Sequence, residues 1–411
     1  MNRPDKALNA VIFFMLFANV YDMGGVFGIK YLSYLLGGVF LIYRYHSLKL
    51  RMEEVWVAFL LFVLVPSWAL FKGLTSGGTL GEASSQVTPF LPGILFLFLL
   101  SNGGYDKAVK YLFNILAALA VTVIVLFLLF LFIPFNPVSQ SLLQTLKEPG
   151  HGYFGARGLV GIRIPHVYFK ATLFFVAGFT YCVYRGQNLR AILFFVTLVV
   201  SFSKSGILLC LFFLMLFVLF EARPRTKWAV SAFTALAIYG LLSWGNAKVV
   251  GGYLDTISNA VQGKALTTQV RIGHWNSFLD LMGDRPDYLL WGQGVGTSYY
   301  SDGRGKHVYN IELDHVDAVR QFGLFWFIGF SLIAGYVALR FIKSPTLENR
   351  ALGMSFVSIY LAAGTNPVLI TPLFMMLMAA LYTKMKQDTP QLLSQNLSTS
   401  MFSSNLADSK T

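Results

Sequence analysis

Apolar runs of about 20 residues recur along most of this chain, separated by short polar stretches. Inside hydrocarbon, such a run satisfies its own backbone only as a helix, so the pattern admits one architecture: a helical bundle dissolved in a bilayer. Candidate spans fall at about 7–23, 26–43, 54–71, 86–101, 109–133, 167–184, 189–201, 205–221, 228–244, 321–341, 351–364 and 367–384. Charged residues are 12% of the 411, against about 25% in soluble domains. The expected fold class is an all-α polytopic membrane protein with about twelve transmembrane helices. It forms one bundle over 1–386, followed by a Ser-, Asn- and Gln-rich tail, 387–411, expected to be disordered and cytoplasmic. The first apolar stretch is followed by no small-x-small cleavage signal and reads as a retained helix.

Basic residues set the orientation. Arg44, Lys49, Arg51, Lys107, Lys110, Arg185, Arg190, Arg223, Arg225, Lys227, Arg340, Lys343 and Arg350 all lie in short connections and mark the cytoplasmic side. The stretch 189–220 has positive residues at both ends, so it must return. Ser201-Phe202-Ser203-Lys204-Ser205 is its turn. By the same logic Gly364-Thr365-Asn366-Pro367 breaks the stretch 351–384. The net charge of +13 is thereby explained by topology and anionic headgroups, and nucleic acid is not an expected partner. Cys182 and Cys210 both sit in apolar runs and form no disulfide framework or zinc spacing.

Two long loops on the far side, about 134–166 and 245–320, hold most of the remaining polar chemistry. The first contains Arg157 and Arg163 among glycines, then His166. A guanidinium donates two parallel hydrogen bonds and suits a diphosphate. The second contains Arg271 at the start of an amphipathic pattern, then Arg285, and Gly292-x-Gly294-x-Gly296. With no strand–turn–helix context, that glycine run reads as a tight turn rather than a dinucleotide fingerprint. Next comes His315, flanked by Asp314 and Asp317, with Arg320 beyond. Acidic neighbours can orient an imidazole as a base. His274 reads as a surface or packing histidine and His307 as solvated. Lys170 and Lys204 lie near helix ends, where their ammonium groups can reach the interface.

The arrangement resembles the O-antigen polymerase and O-antigen ligase superfamily of bacterial envelope glycosyltransferases. Arg157-Gly-Leu-Val-Gly161 with Pro165 is similar to that family's Arg-x-x-Gly-x-x-x-x-Pro run. Ser203-Lys204-Ser205-Gly206 resembles its Ser-Arg-Gly turn, with Lys in place of Arg. Arg271, Trp275 and the glycine run resemble its Arg…Trp…GxGxG signature, and His315…Gly323 its His-Asn…Gly signature, with Val316 in place of Asn. Arg285 and Gly296 fit the Arg-x10-Gly spacing of the polymerases' larger loop.

The resemblance implies a GT-C-like bundle with two large periplasmic loops in the bacterial inner membrane. It implies a polymerase that joins undecaprenyl-diphosphate-linked repeat units, without metal, cofactor or nucleotide sugar. Its partners are the lipid-linked glycan donor and acceptor, membrane lipids and a chain-length regulator protein. Arg157, Arg163, Arg271, Arg285 and Arg320 are the expected substrate-binding residues, and His315 the expected catalytic base. The alternatives are a ligase, with lipid A-core as acceptor, and a flippase of lipid-linked glycan. Against the latter, the helix interiors are almost free of charge, whereas transporters place binding groups near the midplane.

This topology makes a direct prediction. A reporter that fluoresces only in the cytoplasm is expected to be bright at the C-terminus and dark when fused near Gly263; a dark C-terminal fusion of a stable protein refutes the orientation.

Overall fold

The computed structural model describes residues 3–44, 46, 48, 52–101, 103–132, 152–159, 162–221, 262 and 266–386. The predicted segment 228–244, parts of both long loops and the tail 387–411 lie outside these residues. Helices dominate the rest. The first half contains α1 (Arg3–Tyr21), α2 (Ile29–Tyr43), α3 (Met52–Val57), α4 (Val65–Thr75), α5 (Leu80–Val87), α6 (Phe90–Leu100) and α7 (Tyr105–Phe132). After a two-stranded hairpin come α8 (Phe175–Tyr184), α9 (Asn188–Val200) and α10 (Lys204–Phe220). The second long loop holds α11 (Leu266–Asp284), α12 (Pro286–Trp291) and α13 (Asp314–Phe322). The chain then returns through α14 (Leu324–Ile342), α15 (Leu347–Ala362) and a last helix, α16, over 372–386. Among the described residues, four helices are long and apolar enough to cross a membrane: Val55–Thr75, Leu80–Leu100, Tyr105–Phe132 and Leu324–Ile342. Shorter apolar helices cover Lys6–Tyr21, Ile29–Tyr43, Lys170–Tyr184, Asn188–Val200 and Lys204–Phe220.

Local chemistry explains where elements depart from the apolar pattern. Pro66 has no N–H for the turn before it, and Ala58–Leu64, directly upstream, is π-helical. The turn predicted at Ser201–Ser205 is present, with Phe202 in the left-handed region at φ 51°. The break predicted at 364–367 separates α15 from α16.

One expectation needs correction. Residues 152–169 are not loop leading into a helix at 167. Gly152–Leu159 (β1) and Ile162–Phe169 (β2) form an antiparallel hairpin, and helical structure starts only at Lys170, as a 3-10 turn. The segment around His315 leads into the next helix through a single residue. Gly323, at φ 86° and ψ 161°, ends α13 and starts α14. Only glycine occupies that region readily, and a Cβ there would lie 2.3 Å from the Leu290 carbonyl oxygen.

Lipid tails are as apolar as leucine, so helices in a bilayer associate through close packing rather than through exclusion of water. Here the packing is aromatic. Phe322, Trp326, Phe330, Phe374 and Phe356 form a continuous run of rings through α13, α14, α16 and α15, with successive centroids 4.8–6.2 Å apart.

The glycine run of the large loop acts as a wedge in this frame. Val295 N–H donates to the Ala69 carbonyl at 3.0 Å, and Thr79 N–H donates to the Gly296 carbonyl at 3.0 Å. The run therefore lies against the α4–α5 connection. Backbones meet there so closely that a Cβ on Gly73 would sit 1.8 Å from Val295 O, and one on Gly294 2.2 Å from Gly73 N. Gly73→Ala and Gly294→Ala are each expected to destabilise the protein by about 1–3 kcal/mol through forced separation of the two segments. Gly81→Ala, in open space on a helix, is expected to leave stability unchanged or raised. Thermal denaturation followed by size-exclusion chromatography in detergent checks this; equal midpoints for all three variants refute the wedge.

Candidate functional site

A cavity of about 850 Å³ lies where the α1–α2 turn, the β1–β2 hairpin, the α9–α10 turn, the start of α11 and the α15–α16 break come together. Four cations from four separate segments line it: Lys30, Lys170, Lys204 and Arg271. Lys30 is placed by Asp22, whose carboxylate accepts the backbone N–H groups of Phe27 at 3.1 Å and Lys30 at 3.3 Å. Its own ammonium donates to the Met23 carbonyl at 3.1 Å. Lys170 stands where β2 hands over to the 3-10 turn, exposed to the cavity, and has neither a hydrogen bond nor an ion pair among the described residues. Lys204 begins α10, next to the turn held by the left-handed Phe202. Bulky residues rarely adopt that conformation, and strain of this kind clusters at functional sites. Arg271 donates from Nη2 to the Thr365 carbonyl at 3.0 Å, while its Nε–H is buried without a partner among the described residues.

Three carboxylates line the same cavity. Glu312 lies 3.3 Å from Arg271 and 3.0 Å from Arg304. Asp314 accepts the backbone N–H groups of Val368, at 2.6 Å, and of Leu369. It thereby fastens the start of α13 to the α15–α16 break. Burial pushes its carboxyl up to about 7, against the pull of those amides. Asp317 is bound to Arg320.

Arg320 does not line the cavity. It is fully buried, and its guanidinium donates to Asp317 Oδ1 at 2.8 Å, Gln293 Oε1 at 2.8 Å, the Thr297 carbonyl at 3.2 Å and the Tyr309 carbonyl at 2.6 Å. It also lies 5.0 Å from the Tyr299 ring centroid. Four points of the large loop are thus tied to one side chain. Arg285 is outside the cavity as well. It is exposed, pairs bidentately with Asp287 at 3.1 and 3.3 Å, and stacks on Tyr288.

His315 is not among the residues that line the cavity, although its neighbour Asp314 is. Its ring packs 4.9 Å from that of Tyr360 and 5.7 Å from that of Phe327. It bonds the Tyr360 carbonyl, and Nε2 is buried without a partner among the described residues. Burial pushes the imidazole pKa below its usual value. Arg157 and Arg163 fall on the hairpin, paired in register with Ile164 and Gly158 respectively; their side chains lie outside the described residues. His274 is a buried packing residue, its Nδ1 2.6 Å from Ser301 Oγ.

Sequence reasoning missed Lys30 and set Lys170 and Lys204 aside as interface residues. Their signal was orientation: all three sit at helix ends away from the basic connections, where the positive-inside rule disfavours them.

Residues 189–318 match the family model described as O-antigen ligase. No curated protein matches the chain. The matched stretch includes Lys204, Arg271, Glu312, Asp314 and His315, and supports the resemblance to the O-antigen polymerase and ligase superfamily.

Removing one partner of a buried ion pair costs about 3–5 kcal/mol, because the other charge stays behind unpaired. Arg320→Met is therefore expected to loosen the whole large loop, seen as faster cleavage there by added protease. Arg285→Ala is expected to be cleaved at the wild-type rate. Equal rates for wild type and Arg320→Met refute the assignment.

Proposed function

With a stretch of O-antigen ligase family sequence lining this cavity, we propose that the protein is a polysaccharide polymerase. It joins undecaprenyl-diphosphate-linked repeat units at the periplasmic face of the bacterial inner membrane. The observation that carries this reading is the convergence of Lys30, Lys170, Lys204 and Arg271 on one cavity that also holds carboxylates. Four positive groups gathered from distant segments suit a ligand with concentrated negative charge, and a diphosphate is such a ligand.

In this mechanism the cations bind the donor's diphosphate and stabilise the charge that grows on it as the glycosidic bond breaks. The acceptor is a hydroxyl at the non-reducing end of a second lipid-linked repeat. It attacks the donor's anomeric carbon, its proton passes to His315 Nε2, and undecaprenyl diphosphate leaves. His315 follows the cavity-lining Asp314, and its Nε2 has no partner among the described residues, which suits it to that transfer. Arg271 is suited to the diphosphate by its cavity position and its unpartnered Nε–H.

The description of the matched family supports a second reading, in which the same donor is passed to lipid A-core by a ligase. The glycan banding of a strain lacking the protein separates the two. Loss of a polymerase leaves single repeat units attached to the core, whereas loss of a ligase leaves long chains unattached.

In that strain, His315→Ala is expected to stop chain growth at normal expression, since a general base contributes about 10²–10⁴-fold in rate. Arg271→Ala is expected to abolish growth and Arg271→Lys to recover little, because lysine keeps the charge but loses the planar fork. His307→Ala, on the exposed part of the loop, is expected to behave as wild type. Long chains from His315→Ala but not from Glu312→Gln would move the base to the carboxylate.

A further inference from the structure

The hairpin presents two different faces. Phe154 and Val167, which pair in register, are buried against the bundle, and the Phe154 and Phe169 rings meet at 5.1 Å. The alternate positions, Tyr153, His166 and Tyr168, line the cavity. Between them is Gly155, paired with His166. A Cβ at Gly155 would come 3.0 Å from the Tyr153 hydroxyl oxygen and 3.2 Å from Cζ, so the Tyr153 ring lies across the strand over the glycine. The His166 ring braces it at 4.7 Å and is itself buried, its Nε2 3.0 Å from the Ser201 carbonyl oxygen. Tyr153 nevertheless remains 45% exposed. A flat ring, supported from below and the side with one surface open to a polar cavity, contributes little to the core.

A pyranose matches such a surface. One face of the sugar is a patch of C–H groups, which the negative face of an aromatic ring attracts; its rim is hydroxyls, which carboxamides and carboxylates can bind. Gln86, Asn310 and Glu312 line the same cavity. Lys170, on the same cavity, follows Tyr168, the register partner of Tyr153, by two residues. That separation suits a sugar bonded directly to a diphosphate.

We propose that Tyr153, laid over Gly155 and braced by His166, is the stacking platform for the donor sugar bonded to the diphosphate, which makes the hairpin the element that reads the saccharide. This assignment rests on the polymerase reading for the identity of the lipid-linked ligand. It is tested through binding, so it is judged separately from chain growth.

The probes are undecaprenyl diphosphate without sugar and the lipid-linked repeat unit extracted from the strain lacking the protein. Affinities are measured with the full chain in nanodiscs. Wild type is expected to bind the sugar-bearing lipid about five- to tenfold tighter than the bare lipid, the scale of one stacking contact. Tyr153→Leu, which keeps apolar bulk but loses the ring, is expected to erase that difference, with bare-lipid affinity within about twofold of wild type. Tyr153→Phe is expected to preserve it. Equal affinity of wild type for both lipids overturns the proposal. So does a Phe variant as weak as the Leu variant, which would assign the effect to the hydroxyl, or a Leu variant that weakens both lipids alike, which would make the ring structural. A wild-type protein that binds as expected but elongates no chains in the strain would overturn the polymerase reading and leave the platform standing.

Discussion

A guanidinium with no access to solvent must be paired and hydrogen-bonded, or its burial is too costly to persist. Arg320 meets that requirement by drawing four otherwise distant points of the large loop onto itself: Gln293, Thr297, Tyr309 and Asp317. The rest of the described large loop follows from this. With Gln293 and Thr297 held, the glycine run between them can press into the α4–α5 connection at backbone-to-backbone distance. With Asp317 and Tyr309 held, the intervening residues are carried to the cavity, including Glu312 and Asp314. Gln321 extends the network, donating to Asp317 at 2.8 Å and Asn310 at 3.2 Å, and Asn310 accepts from Gln86 on α5 at 2.7 Å. The described part of the large loop is therefore a fixed cap on the helix ends.

The cap closes over a site assembled from segment boundaries. Helix interiors in a bilayer exclude charge, while helix ends and the turns between them tolerate it. Each cavity cation occupies such a boundary: Lys30 near the start of α2, Lys170 at the strand-to-helix junction, Lys204 at the start of α10 and Arg271 in the first turns of α11. The arrangement also explains why the boundaries are braced. Asp22 holds the α1–α2 turn, Asp314 holds the α15–α16 break, and Arg271 reaches across to Thr365 in that break. A site built from unsupported turns would not keep four like charges together. Here each turn is tied to a neighbour by a polar side chain.

The bilayer architecture, the turn around Phe202 and the break at 364–367 were legible in the order of residues. They depend on local rules: the length of an apolar run, the sign of its flanks, and the conformations open to glycine and proline. The tight turn at Gly292–Gly296 was legible for the same reason. The hairpin was not, because glycines and arginines mask its alternation and its apolar second strand continues the hydropathy of the next helix. The end of α13 at Gly323 was hidden likewise, since an apolar pattern continues through it.

Among the candidate residues, chemistry alone could not sort five arginines into roles. Arg271, Arg285 and Arg320 carry the same group; one faces the cavity, one pairs with Asp287 in solvent and one is the buried tie of the loop. Nor could spacing reveal that Lys30, Lys170 and Lys204, scattered over more than a hundred residues, share a cavity with Arg271. The sequence by itself determined that the chain builds long apolar helices and which turns interrupt them, because those features follow from hydropathy and backbone chemistry within a few residues. Only the tertiary structure decided which charges line the cavity and which hold the fold, because burial and partnership are set by residues that become neighbours only when distant segments pack.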